Sequence, residues 1–540
     1  MIFRVPKWLM LGAPALATLV LYWPVLGTGF LGDDFGMLHA FEGCEGARGV
    51  AQCVAQMFVS GVGPPSNQYR PLTMASFALN SLLGADPFGW HLVNVLVHAA
   101  CASLVALLAW QLLDEASPRA RAAALMAGWL FAWFAPAVEA TAWIAARFDG
   151  MALLWLLVAA CAFVASRRWR DGYGLLSLAA TVLSYMSKES ATIGAPLILA
   201  LAWYKQRGDR GFVRDVVAAL GTALPWLLIA VSYFAFRRFL FGDPFRFFPG
   251  SSPLATLLSG EWLANVPAML DWAAVALPES APRSAFAGSG LVLLLCALAT
   301  GVAERAKGRA LAAIAFAVLA AFALLLPHWK WAGNGEGGRV LLAIGAIALV
   351  AAALPLAAAG RPRALAWVAA IVLLGSQWML AQSVVARWVQ AGDDTRALSS
   401  ALARVAAEST PDGYAFVVVP DHVGAIPFGR NAQGGLMLPP VQAASIAPEL
   451  IVQTGDELAR WPDLFTRDII GRLRREPVAN VAANLLTPKV PPPHALPDRW
   501  FCWSPHTRAL VPVTLALEPD LANWDDAWRN ALTAAGCAVR

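Results

Sequence analysis

About eleven stretches of mostly apolar residues, each near the length that crosses a bilayer core, are strung along this chain, and they restrict its fold more than any other feature. They run approximately over residues 8–26, 92–113, 122–138, 151–165, 173–186, 191–204, 216–236, 288–303, 310–326, 340–359 and 365–385. A stretch of this kind becomes a helix in lipid, because every backbone N–H and C=O must find its partner within the segment. Of the 540 residues, 59% are hydrophobic and 14% charged, against roughly 25% charged in soluble domains. Soluble, fibrous, disordered and coiled-coil classes are thereby excluded. The charge, 40 Lys and Arg against 35 Asp and Glu, is too small to point to nucleic acid.

Basic residues crowd alternate connections: Arg4 and Lys7; Arg119 and Arg121; Arg167, Arg168 and Arg170; Lys205, Arg207, Arg210 and Arg214; Arg305, Lys307 and Arg309; Arg361 and Arg363. Short loops rich in Lys and Arg stay in the cytoplasm, so the N-terminus is expected inside. Loop 27–91, segment 241–287 and everything beyond about residue 386 are then outside. The first span reads as an uncleaved anchor, its apolar stretch being longer than a signal core and lacking an A-x-A-like site before Gly32. Cysteines agree with this sidedness. Cys101, Cys161 and Cys296 fall within expected spans, whereas Cys44 with Cys53 and Cys502 with Cys537 pair off by outer region as expected disulfides.

The expected architecture is a polytopic α-helical membrane domain over 1–388, with a small extracytoplasmic α/β domain over 389–540. In the tail, charge, Pro and Gly return. A helix is expected over 395–408, a β-like run over 414–420, a Pro-rich connector at 491–493 and a closing helix over 523–535.

Ionisable residues gather at the outer ends of spans. Asp33 and Asp34 follow the first span, where adjacent carboxylates at a low-dielectric surface suit proton abstraction or a cation. A solvated helix end is the competing reading. Tyr69-Arg70-Pro71-Leu72-Thr73 places Pro71 in the first turn of an interfacial helix, with Arg70 just before it. His91, Asn94 and His98 share one face of the second span, which must meet protein or a water-filled cavity. Glu139, Arg147 and Asp149 occupy the connection after the third span, where a local Arg147–carboxylate ion pair would also account for them. Lys188 and Glu189 lie in the Ser187-Lys188-Glu189-Ser190 connection. Arg237 and Arg238 end the seventh span on the side where positive charge is scarce, and Lys330 and Arg339 flank a Gly-rich turn at 333–338. Such groups suit clamping a lipid phosphate or snorkelling to headgroups. Trp329 and Trp331 read as an aromatic belt.

Taken together, the DD pair after the first span, YRPLT, the D-P-F-G-x-H-L-x-N start of the second span, V-E-A-x-A-W-I-x-x-R-x-D after the third and S-K-E before the sixth resemble the GT-C membrane glycosyltransferases. Within these the chain is similar to the protein O-mannosyltransferase-like group that includes TMTC-type proteins and bacterial relatives. The motifs cover about residues 1–205. Three departures stand out: Ala135 where the group commonly has His before Pro, no tetratricopeptide repeats, and a different tail.

The resemblance implies inverting transfer of a sugar from a polyprenyl-phosphate donor to an acceptor hydroxyl on the periplasmic face. The acceptor is a protein, a glycan or a lipid. Asp33 or Asp34 would be the base, Asp33 by a small margin, and Glu139 and Asp149 would hold acceptor or base. Arg70, Arg147 and Lys188 would hold the donor phosphate, with Arg237, Arg238 and Arg339 as further candidates from their position. His91, Asn94, His98 and Glu189 would line the cavity. The cofactor stays open: no zinc spacing is present, and an Mg2+ or Mn2+ ion on Asp33, Asp34 and an outer carboxylate is chemically admissible. Membrane lipids are expected partners and nucleic acid is not; the expected location is a bacterial inner membrane. A transporter or flippase for lipid-linked sugars is the rival reading, predicting midplane charges and internal repeats, and a non-catalytic scaffold is a second, hinted at by Ala135.

Overall fold

In the computed structural model, residues 5–44, 46–61, 68–113, 118–206, 211–244, 259–260, 283–325, 337–358, 361–409, 415–424, 426–432, 434–447, 450–454, 499–514 and 530–537 are described. Their helices, in chain order, are α1 (Lys7–Tyr22), α2 (Asp34–Leu38), α3 (Gly46–Ser60), α4 (Pro71–Leu83), α5 (Pro87–Leu112), α6 (Pro118–Ala132), α7 (Ala137–Ala142) and α8 (Arg147–Ala165). There follow α9 (Gly172–Tyr185), α10 (Gly194–Lys205), α11 (Phe212–Phe241), α12 (Arg283–Ala303), α13 (Arg305–Leu325), α14 (Gly338–Leu356) and α15 (Arg361–Ala407).

Each expected span overlaps a helix among the described residues. Seven helical segments are long and apolar enough to cross a membrane: Lys7–Gly27, Pro87–Leu112, Ile144–Ala165, Phe212–Phe241, Arg305–Leu325, Gly338–Leu356 and Arg363–Ala407. Of the others expected, α6, α9 and α10 are shorter, at 15, 14 and 12 residues, and the apolar stretch within α12 is Gly288–Ala303. Three of these have visible causes. Pro136 follows α6 closely, Asp171 caps α9 by accepting from the Gly174 N–H at 2.7 Å, and a short 3-10 turn over Glu189–Ile193 precedes α10. Pro71 does open a helix, α4, with Arg70 immediately before it.

The chain divides into two compact units. The first comprises Met1–Leu26, Ala51–Ser76 and Gly89–Ala386. Here α1 packs on α6, α6 on α14, α8 on α9, and α10 on α11 and α13. Small residues allow the closest approach: a Cβ at Gly128 would lie 2.8 Å from the Pro14 ring and 3.0 Å from the Ala102 carbonyl oxygen.

The second unit comprises Gly27–Val50, Phe77–Phe88 and Arg387–Arg540. Its four-stranded sheet has the order β4-β1-β5-β6, built from β1 (Ala415–Val419), β4 (Leu450–Thr454), β5 (Arg499–Ser504) and β6 (Ala509–Pro512). Strand β1 pairs in parallel with β4 and β5, and β6 closes one edge antiparallel. A strand covered on both faces needs an uninterrupted apolar run, and Ala415-Phe416-Val417-Val418-Val419 is fully buried. A two-stranded ribbon joins β2 (His422–Val423) to β3 (Ile426–Pro427). Phe416, Val418, Trp500, Cys502, Val513, Leu532 and Cys537 form the core.

Two tail expectations take a different form. The span at 365–385 and the helix at 395–408 are one continuous helix, α15, because the residues between them include no proline to break it. Of the closing helix, residues 530–534 are helical, while 523–529, the connector at 491–493, and Lys330, Trp329 and Trp331 lie outside the described residues.

Candidate functional site

In the first unit the ionisable residues singled out in the sequence come together at helix ends. Arg70, ahead of α4, reaches Glu189 of the Lys188-Glu189 turn, its Nε donating to Oε2 at 3.0 Å and its Nη2 to Oε1. Lys188 Nζ donates to both carboxylate oxygens of Asp149, in the first turn of α8, at 2.7 and 2.6 Å. Backbone bonds lock the same turn to α4: the Leu72 N–H donates to the Met186 carbonyl at 3.1 Å and the Thr73 hydroxyl to that of Ser187 at 3.2 Å. Burial acts to raise the Glu189 carboxyl, but the Arg70 guanidinium, aided by Lys188, reverses this and holds it below the usual carboxylate range. Burial opposes the Arg70 charge too, yet Glu189 outweighs it and the guanidinium is raised above its ordinary value. Lys188 is held below its ordinary value, chiefly by burial, with Asp149 opposing and Arg70 and Arg339 adding to the effect.

Glu139 has a different environment. Its Oε2 accepts the N–H groups of Gly338 at 2.7 Å and Arg339 at 3.3 Å, so a carboxylate caps the N-terminus of α14, where the helix dipole favours negative charge. Arg339 Nε lies 3.5 Å from Glu139 Oε1, with its guanidinium 4.9 Å from the Trp143 ring centroid. Arg147 donates to Asn94 Oδ1 at 2.7 Å, the Trp90 carbonyl at 2.8 Å and the Ser76 hydroxyl at 3.2 Å. Asn94 in turn donates to the Trp143 carbonyl at 2.9 Å. This network ties α4, α5 and α8 together, with Arg147 1% exposed.

Arg237 is fully buried, its Nε donating to the Pro244 carbonyl at 2.9 Å and its guanidinium lying near the Tyr233 and Phe241 rings. Its neighbour Arg238 is exposed on the same helix. Tyr69 of the YRPLT motif, with Tyr185 and Tyr233, which the sequence reading did not single out, packs beside Arg237. His91, Asn94 and His98 are buried on one face of α5. His98 and Asn94 line a small void with Cys101, Thr141, Arg147 and Gly150, room for about one water.

In the second unit the two carboxylates of the DD pair separate in role. Asp34 is buried, and its Oδ2 accepts the Leu31 N–H at 3.0 Å, within its own turn. Asp33 is 28% exposed; its Oδ1 accepts from Asn431 Nδ2 at 2.6 Å and its Oδ2 from Arg430 Nη2 at 3.2 Å. Neither partner carries a sequence signal, since almost four hundred residues, 397 and 398, separate each from Asp33. Cys502 and Cys537 form a disulfide joining β5 to the closing helical segment, and Cys44 and Cys53 are disulfide-bonded as well. Cys101, Cys161 and Cys296 are free and buried. Among the described residues no group of three or more His, Cys, Asp or Glu side chains is arranged to hold a metal ion.

The motifs now have relatives to set beside them. The chain is 34% identical over 190 residues to protein O-mannosyl-transferase Tmtc1 of Drosophila melanogaster, covering 33% of this chain and 21% of that protein. It is 34% identical over 219 residues to Tmtc2 of the same fly, covering 37% and 23%, and 40% identical over 95 residues to human TMTC2, covering 17% and 11%. This chain is similar to the TMTC protein O-mannosyl-transferases. It spans about a fifth of the length of the first two. Solved structures of ArnT from Cupriavidus metallidurans align at 13% identity: the apo form covers 84% of this chain and 94% of ArnT with a TM-score of 0.42, and the form bound to undecaprenyl phosphate covers 89% and 99% with a TM-score of 0.38. No family model matches the chain.

Proposed function

We propose that this chain is a membrane glycosyltransferase of the GT-C type, moving a sugar from a polyprenyl phosphate to an acceptor hydroxyl at the non-cytoplasmic face with inversion. The observation that carries the reading is the charge cluster at the helix ends of the first unit, where the buried Arg70 and the half-buried Lys188 and Arg339 are each held by a carboxylate. Charges in a membrane protein are held at a cost that pairing only offsets, and a concentration of them is by default a functional-site hypothesis. Similarity to the TMTC O-mannosyl-transferases supports glycosyl transfer, and a lipid phosphate is the substrate part that such cations suit.

In this reading Asp33 takes the proton from the acceptor hydroxyl. The hydroxyl oxygen forms its bond to the anomeric carbon, while the bond from that carbon to the phosphate oxygen breaks and its electron pair leaves with the lipid phosphate. Asp33 suits the base better than Asp34 because it keeps access to solvent, while Asp34 is buried and occupied by its own turn. Lys188, Arg70, Arg237 and Arg339, all of the first unit, have the charge that suits a lipid phosphate. Arg147 suits it less, its donors being engaged in the tie among α4, α5 and α8.

The test uses purified protein in proteoliposomes with radiolabelled undecaprenyl-phosphate mannose and a native membrane extract as the acceptor source. Release of undecaprenyl phosphate and label in the acceptor fraction are both followed. Asp33→Asn is expected to lower transfer by about 10²- to 10⁴-fold while the protein still assembles. Transfer at the wild-type rate in Asp33→Asn removes the base assignment. Donor movement across the bilayer without release of lipid phosphate replaces the enzyme with a transporter.

A further inference from the structure

We infer that Arg430 and Asn431 are positioning residues that fix the Asp33 carboxylate for proton abstraction. The inference rests on the reading of Asp33 as the base and deepens it. It assigns a positioning duty to the segment after β3 in the tail, well beyond the residues that carry the sequence motifs.

The DD turn is held at several points by this segment, all within the second unit. The Gly32 N–H donates to the Phe428 carbonyl at 3.3 Å. A Cβ at Gly435 would lie 2.6 Å from Phe35 Cβ and 3.1 Å from the His39 ring, so α2 rests on bare backbone. On the other side Arg396 of α15 donates to the Gly27 carbonyl at 2.7 Å. Backbone and side chain are thus both set by the tail.

A carboxylate has two oxygens with about four lone-pair directions between them. Asn431 takes one on Oδ1 and Arg430 one on Oδ2, so rotation about the Cβ–Cγ bond is stopped. A lone pair remains on each oxygen, and the side chain stays 28% exposed, so the held carboxylate can still receive a proton. The backbone at Asn431 has φ of +56°, a left-handed conformation that asparagine tolerates better than most residues. An amide at this position therefore combines a permitted backbone with a donor aimed at Asp33. Errors of about 1 Å in the placement of a reacting group can cost about a hundredfold in rate. Loss of either donor should consequently fall on turnover rather than on donor binding.

The experiment compares Arg430→Ala, Arg430→Lys, Asn431→Gly, Asn431→Asp and Asp33→Asn in the proteoliposome assay with undecaprenyl-phosphate mannose, with thermal melting as the check on folding. Asn431→Gly keeps the left-handed backbone and deletes only the amide. Arg430→Ala and Asn431→Gly are expected to lose about ten- to a hundredfold in kcat, with KM for the donor within about twofold of wild type. Asn431→Asp should lose more than Asn431→Gly, because it sets a second carboxylate against the first. Arg430→Lys should recover part of the loss, and millimolar guanidinium should restore Arg430→Ala but not Asp33→Asn. Should Arg430→Ala fail to fold, Arg430→Lys and Asn431→Gly decide the matter. Wild-type kcat in the folded Arg430 and Asn431 variants, with Asp33→Asn inactive, overturns the positioning role and leaves the base in place. Wild-type transfer by Asp33→Asn overturns the reading beneath it.

Discussion

Glu189 and Arg70 show how a charge is kept inside this protein. Each alone would meet a desolvation penalty of several kcal/mol, and each offsets the other's through two hydrogen bonds, so removing one strands its partner. Glu189→Gln is accordingly expected to destabilise by about 3 to 5 kcal/mol, read as a lowered melting temperature at neutral pH. The pH dependence has a definite sign. The folded carboxyl is held below its unfolded value of 4.5, so the unfolded state binds the proton first. The stabilisation is complete above that value and is lost as pH falls below it towards the folded one. Melting of the wild type and of Glu189→Gln should converge on acidification below about pH 4.5; a constant gap would mean that the carboxylate charge contributes nothing. Lys188 and Asp149 make the second pair. Sequence alone brought these four residues forward as ionisable groups at span ends, yet gave no pairing, because the partners lie 119 and 39 residues apart.

Elements were legible where a single period governed them. The long apolar helices α1, α5, α8, α11, α13 and α14 follow from hydrophobic length alone, and β1 from an unbroken β-branched and aromatic run. Helix ends were harder to read. The third stretch, 122–138, extends past Pro136 by composition, whereas α6 stops at Ala132 and α7 begins at Ala137, since proline halts the helix without changing hydropathy. Packing between elements was illegible because it depends on small residues whose partners are distant. Gly128 is the clearest instance, bringing α6 onto Pro14 of α1 and onto the Ala102 turn of α5. Gly128→Val forces these helices apart and should cost about 1 to 3 kcal/mol, the usual penalty for overpacking, seen as a lower melting temperature in detergent. A variant that melts like the wild type would mean that the contact gives way without loss.

At the scale of the whole molecule, the proposed chemistry demands a sidedness, since a polyprenyl-phosphate sugar used outside needs its acceptor and base outside. By the distribution of Lys and Arg among loops, the N-terminus is expected inside and the tail outside. Redox chemistry gives an independent line. Cys502 and Cys537 are joined, Cys44 and Cys53 are disulfide-bonded, and the remaining cysteines are thiols buried among helices. Disulfides persist where the compartment is oxidising, so the loop after the first span and the tail should share the outer compartment. An impermeant maleimide added to right-side-out vesicles should leave the wild type unlabelled and, after mild reduction, should modify the half-buried Cys44 and Cys53, while the buried Cys101, Cys161 and Cys296 stay silent until denaturation. Cys502→Ser should lower stability by about 2 to 4 kcal/mol, as loss of a native crosslink commonly does. Labelling that needs lysis of the vesicles would reverse the orientation, and the proposed base would then face the cytosol, away from any outward-facing lipid-linked donor.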